Sequence, residues 1–312
     1  MLKLRVPATT ANLGPGFDSL GLALSIYNYV SMKLLPAGEL RVTIEGVASG
    51  DQIARDERNL VVKAARHIFS MAGAEPAGLE LYMELHAPLA RGLGSSASAI
   101  VSGMAGANAL IGSPFSSGQL LEEMTRMEGH PDNVVPCYLG GLTASLALPE
   151  GLAIQRTSPD DSLQFVIFVP EYELETSRAR AVMPKTISVA DAVFNLSRVI
   201  HVYKGIETGD VQFLSSAMED CLHQPYRIPL IKGYQEACDA ALDAGAAGTC
   251  ISGAGPSILA ISKAADSESV HDAGLKALAE AGVSAMGFIV QADNEGCTIL
   301  SGGDDVKNVS RE

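Results

Sequence analysis

Polar and apolar positions alternate over residues 2–7 (LKLRVP), the period of a strand with one buried face. The same period returns at 40–46 (LRVTIEG) and at 79–85 (LELYMEL), where Leu79, Leu81, Met83 and Leu85 share a face. Residues 20–35 are largely apolar with β-branched and aromatic members, which predicts one strand or a bent pair. The period changes to that of a helix at 59–72, behind Asn59, a residue suited to cap a helix N-terminus. A second helix is expected at 95–111, where small Ala, Ser and Gly side chains let backbones approach closely. In the second half, 163–169 (LQFVIFV) reads as a buried strand. Residues 188–207, 232–244 and 266–282 read as helices, 247–262 as strand, glycine turn, strand, and 285–292 as a strand. Turn chemistry in LPEG and SPDD, within 148–163, divides the chain into expected domains 1–155 and 156–312. Both halves mix strands and helices without a regular βαβ rhythm, so the expected class is α+β. The polar end from Gly302 is expected to fray.

Composition narrows the function classes. Among 312 residues, 22 Lys and Arg face 36 Asp and Glu, a formal charge of −14. That balance argues against DNA, RNA or an acidic membrane surface as the main partner. An anionic ligand must therefore be held by a local device against the global field. The N-terminus lacks the apolar core of a signal peptide, and no apolar run reaches a membrane-spanning length of about 18 residues. Five scattered cysteines (Cys137, Cys221, Cys238, Cys250, Cys297) without a C-x-x-C pair read as reduced thiols, which predicts a cytoplasmic protein.

Three glycine-bearing clusters carry the candidate chemistry. The middle one runs Pro88-Leu89-Ala90-Arg91-Gly92-Leu93-Gly94-Ser95-Ser96-Ala97-Ser98, between a strand and a small-residue helix. Its glycines permit a tight loop, and the N–H groups of the loop and first helical turn can form an anion nest. Ser95 and Ser96 add hydroxyls suited to capping, phosphate or Mg²⁺. It is neither a Walker A loop nor the dinucleotide fingerprint, and a plain Gly/Ser turn before a helix gives the same pattern. The first cluster, Thr10 to Asp18, presents Asn12 and Asp18, which suit a substrate ammonium or hydroxyl group or else an Asx-turn. The third, Gly248 to Ser257, brings Gly253 and Gly255 into a turn that can close over phosphates or be a simple hairpin. Between them lie Glu128, His130, Asp132 and Asn133, four polar residues within six positions. Glu128 offers the hard oxygens Mg²⁺ prefers. Thr176, Arg180 and Arg227 follow; Arg is suited to a two-pronged grip on a carboxylate and equally to a plain surface charge.

Taken in order, ATTANLGPGFDSLGLAL, PLARGLGSSASA and GTCISGAGPSILAI resemble the three motifs of the GHMP kinase superfamily. Within it, EGHPDNVVPCYLGG, LETSRARAVMP and LHQPYRIPLIKGY are similar to markers of the homoserine kinases. The resemblance covers nearly the whole chain. It implies a two-domain α+β GHMP kinase fold: an N-terminal ribosomal protein S5 domain 2-like half with a left-handed crossover, a ferredoxin-like C-terminal half, and the active site between them. It implies ATP as donor with Mg²⁺, L-homoserine as acceptor, O-phospho-L-homoserine as product in threonine biosynthesis, and a homodimer. By the same resemblance the loop Pro88 to Ser98, with Gly253 and Gly255, binds ATP, and Ser96 and Glu128 hold Mg²⁺. Asn12, Asp18, His130, Asn133, Arg180 and Arg227 bind substrate. Asn133, Arg180 and Thr176 stand at the reacting groups, and the adenine pocket is expected near residues 55–63. Two departures are visible. Glu128 and His130 are closer together than in many relatives, which leaves Glu122 or Glu123 as alternative ligands, and Lys232 stands where relatives commonly carry Pro. Asn133 occupies the position at which galactokinase and mevalonate kinase place an Asp base, so the γ-phosphate is expected to take the hydroxyl proton late, with Asp132 as the rival base. Another small alcohol (mevalonate-, shikimate- or methylerythritol-type) or a non-catalytic ligand-binding role are the alternatives.

Overall fold

The computed structural model describes residues 1–36, 38–46, 53–74, 78–149 and 151–301; the polar end expected to fray lies outside them. The first half runs β1 (Leu2–Ala11), β2 (Leu20–Leu35), β3 (Leu40–Gly46), α1 (Leu60–Met71), β4 (Gly78–Leu85), α2 (Ser95–Leu110), α3 (Ser117–Glu128), α4 (Pro131–Leu139), β5 (Leu142–Leu148) and β6 (Gly151–Thr157). The second runs β7 (Leu163–Pro170), α5 (Thr176–Ala181), α6 (Val189–Thr208), α7 (Leu214–Ala217), α8 (Gln224–Arg227), α9 (Tyr234–Asp243), β8 (Gly248–Ile251), β9 (Ile258–Lys263), α10 (Ser267–Glu280), β10 (Ala285–Val290) and β11 (Thr298–Ser301). Each strand and helix expected from the hydrophobic pattern is present. Residues 20–35 form one strand, and β1 runs on to Ala11, shifting register against β2 between Pro7 and Ala8.

Two sheets result. The first has the order β11-β1-β2-β4-β3, with β5 paired to the start of β2 and β6 to β5. Among the described residues only β3 and β4 pair in parallel, joined by α1, whose N-terminus is capped as expected: the Asn59 side chain accepts from the N–H groups of Val61 and Val62. The second sheet is antiparallel in the order β10-β7-β9-β8. In the numbering of that half alone this is 4-1-3-2, the split β-α-β arrangement of a ferredoxin-like domain. The chain passes from one sheet to the other over residues 158–162 and returns to the first with β11, which pairs with β1.

The packing explains the elements. Ile68, Phe69, Ile100 and Met104 of α1 and α2 close a core with Leu4, Val30 and Leu81 of the first sheet. The small residues of α2 serve close approach: a Cβ on Gly103 would lie 2.5 Å from the Val61 carbonyl oxygen and 2.7 Å from Ala64 Cβ. In β7, Phe165, Ile167 and Val169 face one core and Val166 and Phe168 another, which is why 163–169 is apolar throughout. The first of these cores also contains Leu13, Leu24 and Leu93, so the loops that bear the first two glycine motifs are anchored against the second sheet. Among the described residues no helix is long and apolar enough to cross a membrane, and all five cysteines are free.

Candidate active site

The three glycine motifs meet as one hydrogen-bonded unit. After β1 the chain turns sharply at Asn12, Leu13 and Asp18, all with positive φ, a costly backbone state for such residues. The Asn12 side chain accepts from the Asp18 N–H (3.0 Å) and donates to the Gly253 carbonyl (2.7 Å), tying the first motif to the third. The third is tied to the middle: Ser252 Oγ donates to the Gly92 carbonyl (2.7 Å) and lies 2.8 Å from Thr10 Oγ1, and the Ser257 N–H donates to Arg91 O. Gly92 has φ +78°, and a Cβ there would run into the Ser252 carbonyl oxygen and stand 3.1 Å from Gly255 N. Only glycine fits.

These loops bound a cavity of about 300 Å³ between the two halves. Asn12, Asp18, Arg91, Gly92, Gly94, Ser95, Ser96, Glu128, His130, Asn133, Thr176, Arg180, Arg227 and Gly253 line it, joined by Ala90, Asp132, Leu174 and Ala254. The rest of the ATP-binding expectation lies behind that wall. Leu93 and Ala97 are in cores, Ser98 accepts from Asn28, Pro88 accepts from Ser95 Oγ, and Gly255 packs near Ile231. Leu89 lines a second, more apolar cavity of about 190 Å³ that shares Ser95 and Ser96 with the first. Ile53, Asn59, Leu60, Val61, Met83 and Leu85 also border it, which places part of the 55–63 stretch beside the loop.

At the loop's end Gly94 adopts the left-handed conformation and α2 begins without a side-chain cap, with Gly94, Ser95 and Ser96 at the cavity wall. Ser96 Oγ donates to Glu128 Oε2 at 2.6 Å. Burial pushes the Glu128 carboxyl above its ordinary value, against the lowering effect of the Ser96 hydrogen bond. A hydroxyl and a desolvated carboxylate side by side are hard oxygen donors that fit Mg²⁺. Glu123 is engaged elsewhere, by His67 and Arg126, and Glu122 lies beside Gly151, so Glu128 is the glutamate at the cavity. Arg91 lines the wall, but its guanidinium is taken up by the carbonyls of Leu89, Pro170 and Glu171 and clamps the loop to the end of β7.

The polar run 128–133 ends one helix and starts the next. His130 is the N-cap residue of α4, Pro131 takes the first helical position, and Asp132 and Asn133 fill the first turn. His130 Nδ1 hydrogen-bonds Asp132. Burial lowers the imidazole's pKa, but the hydrogen bond and charge of Asp132, with Glu128, outweigh it, and the net direction is upward. Asn133 is held at both ends: Oδ1 accepts from Thr9 Oγ1 (2.8 Å) and Nδ2 donates to Asp132 (3.2 Å).

Across the cavity, Arg180 on α5 grips Asp18 with two hydrogen bonds of 2.7 and 3.1 Å, and this hydrogen bonding chiefly raises its pKa further. Arg227 on α8 is 1% exposed. Burial, then the charge of Arg180, lowers its pKa. The Phe17 ring lies 5.1 Å from the Arg227 guanidinium carbon and 5.7 Å from that of Arg180. Thr9, Thr10, Ser252 and His223 were not singled out in the sequence as site residues. The adjacent threonines of ATTAN were the available signal, since neighbours on a strand face opposite ways: Thr9 reaches Asn133 and Thr10 reaches Ser252.

Comparison with known proteins agrees. The GHMP kinases N terminal domain model matches residues 59–141 and the GHMP kinases C terminal model residues 202–280. The chain is 43% identical over 300 residues to a homoserine kinase of Prochlorococcus marinus, covering 96% of this chain and 95% of that one. It is 44% identical over 299 residues to the homoserine kinase of Gloeobacter violaceus, covering 95% and 98%. The crystal structure of homoserine kinase from Cytophaga hutchinsonii superposes with a TM-score of 0.86 at 30% identity, over 96% of this chain and 97% of that one. The L. major mevalonate kinase complex with R-mevalonate, at 15% identity and a TM-score of 0.69 over 93% and 96%, shares the fold. The chain belongs to the GHMP kinases and, among them, to the homoserine kinase family.

Proposed function

We propose that this chain transfers the γ-phosphoryl group of ATP to the side-chain hydroxyl of L-homoserine, giving O-phospho-L-homoserine and ADP. One observation carries the reading: a single cavity sets an uncapped helix N-terminus and the Ser96–Glu128 pair opposite Asp18, Arg180 and Arg227. The first group suits a polyphosphate and the second a zwitterionic amino acid. The loop and the first turn of α2 hold the phosphates, and the adjoining apolar cavity takes the adenine. Ser96 and Glu128 would hold Mg²⁺, which when bound neutralises charge on the phosphate oxygens. Asp18 faces the substrate ammonium; Arg180 and Arg227 bind its carboxylate side; His130 lines the amino-acid site; Thr176, opening α5, stands by the γ-phosphate.

No strong base is needed. An amide cannot take a proton at neutral pH, and Asn133, fixed by Thr9 and Asp132, orients the acceptor hydroxyl. A loose phosphoryl-transfer transition state depends mainly on alignment and charge stabilisation, so the hydroxyl proton passes late to a γ-phosphate oxygen. Alignment falls to the interlocked loops and to Asn133.

The test is ADP release with Mg-ATP and a panel of L-homoserine, D-homoserine, L-threonine, mevalonate, galactose and shikimate. Turnover confined to L-homoserine is the expected result. Turnover on another alcohol would overturn the roles of the two arginines and keep the phosphate loop; ATP binding without turnover on any member would make the chain a ligand-binding relative.

The assembly belongs to the same reading. On α6, Val189, Val193, Leu196 and Ile200 are each between 57% and 82% exposed and follow a 4-3-4 spacing, one apolar seam along the helix. Such a seam is self-complementary across a twofold axis and fits a homodimer. Light scattering should report a dimer that Leu196→Glu converts to monomer; a wild-type monomer at all concentrations would refute it.

A further inference from the structure

Arg227 is a buried cation whose three hydrogen-bond partners among the described residues are uncharged: the carbonyls of Ala179 (3.3 Å) and Gly253 (3.1 Å), and Nδ1 of His223 (3.4 Å). His223 is fully buried. Its Nε2 lies 2.8 Å from the Gly14 carbonyl, which can only accept, so Nε2 carries the hydrogen. In a neutral ring Nδ1 is then a lone pair, and it accepts from the Arg227 guanidinium. Burial, the leading influence on this ring, favours the neutral form and outweighs the charge of Asp220, whose Oδ2 lies 3.6 Å from Nε2. Backbone and ring are each held further. Asp220 Oδ2 accepts from the N–H groups of His223 and Gln224 at the start of α8, and Phe17 stacks on the imidazole at 5.3 Å. His223 thus links Gly14 and Phe17 of the first motif to the arginine on α8.

We propose that His223 is a positioning residue: as the Nε2–H tautomer it aims the Arg227 guanidinium and so sets the affinity for the carboxylate of the acceptor substrate. The inference rests on the proposed homoserine reaction and adds to it a residue that does not itself touch substrate.

The two amide isosteres separate the two ring nitrogens. His223→Asn places its carbonyl oxygen near the Nδ1 position and keeps an acceptor for Arg227. His223→Gln reaches the Nε2 position, keeps the donor to Gly14 and loses that acceptor. With L-homoserine, His223→Gln should raise KM about ten- to hundredfold, the scale of a hydrogen bond to a charged group, with a smaller effect on kcat and on KM for ATP. His223→Asn should stay closer to wild type. With the diol analogue L-homoserinol, which has no carboxylate, the penalty in kcat/KM for His223→Gln should largely vanish. Equal losses in both variants, a parallel rise in KM for ATP, or the same loss on the diol would overturn the proposal. Should either variant fail to fold, ¹⁵N-histidine NMR of the wild-type protein decides: a neutral ring with the hydrogen on Nε2 is expected, and an imidazolium or an Nδ1–H form would refute it. A wild-type enzyme inert toward L-homoserine would sink the parent reaction while leaving the NMR result to be judged by itself.

Discussion

Gly92→Ala tests whether the phosphate loop is held in shape by the third motif. Gly92 sits at φ +78°, where an L side chain costs roughly 1–2 kcal/mol. The new Cβ would also collide with the Ser252 carbonyl oxygen and crowd Gly255 N and O at 3.1 Å. Relief requires the two loops to part, which loosens the 2.7 Å hydrogen bond from Ser252 Oγ to the Gly92 carbonyl, at about 1 kcal/mol. The sum is about 2–3 kcal/mol against the native loop, a roughly 30- to 140-fold shift at about 1.4 kcal/mol per decade. Gly112 supplies the control: it has φ +85° and nothing within 4 Å, so Gly112→Ala carries the backbone term alone. Steady-state kinetics should show kcat/KM for ATP reduced about a hundredfold in Gly92→Ala and unchanged in Gly112→Ala. Equal kcat/KM values for ATP in the two variants would refute the reasoning, because both share the positive φ and only one meets the third motif.

Further predictions concern charge and protons. Burial holds the Glu128 carboxyl above its ordinary value, so the free protein loses stability as pH rises through that raised pKa and keeps it below the ordinary carboxylate range. A cation at Ser96 and Glu128 would remove the penalty, so the Mg²⁺-dependent part of a nucleotide-induced rise in Tm should be larger at pH 7 than at pH 5. Glu128→Gln should flatten the difference, and equal wild-type shifts at the two pH values would count against the assignment. Asn133→Asp should give no gain in turnover if the γ-phosphate takes the proton; markedly faster turnover would contradict that. Asp132→Asn should cost far less than about 10⁴-fold in kcat, and a loss of that size at unchanged KM would restore Asp132 as general base.

Much of this molecule is legible in its sequence where chemistry repeats at a fixed period or clusters in a short motif. The alternation in β1, β3 and β4 and the Asn59 cap of α1 are local signals, and they appear as expected. The elements left unread include α3, a twelve-residue helix whose Ser116–Gln119 capping box is a local signal, and others too short or too broken for a period to show. In α4 Pro131 opens and Pro136 interrupts a nine-residue helix, so its first turn read as a polar cluster. With six and four residues, α5 and α8 complete one or two turns, yet they carry Arg180 and Arg227 into the site. The missing information about Arg91 is tertiary. A guanidinium next to a glycine loop looks like a phosphate ligand until the carbonyls at the end of β7 are seen to occupy it. Asn12 differs in the same way: it faces the cavity, but its amide spans the first and third motifs.

The pairing of β11 with β1 bears on how the chain folds as it is made. Strands β1 and β11 lie side by side at an edge of the first sheet, although almost the entire sequence separates them. The whole second sheet is therefore a long excursion between two neighbouring strands. At roughly 5–20 residues per second, a ribosome exposes β1 for tens of seconds before its outer partner emerges. During that interval β1 has β2 on one side and an open row of backbone groups on the other, the kind of edge on which nascent chains associate. The same adjacency means that residues 2 and 301 could be bridged by a short linker and new ends opened in the 158–162 crossing, a circular permutant in which β11 and β1 are synthesised as a hairpin.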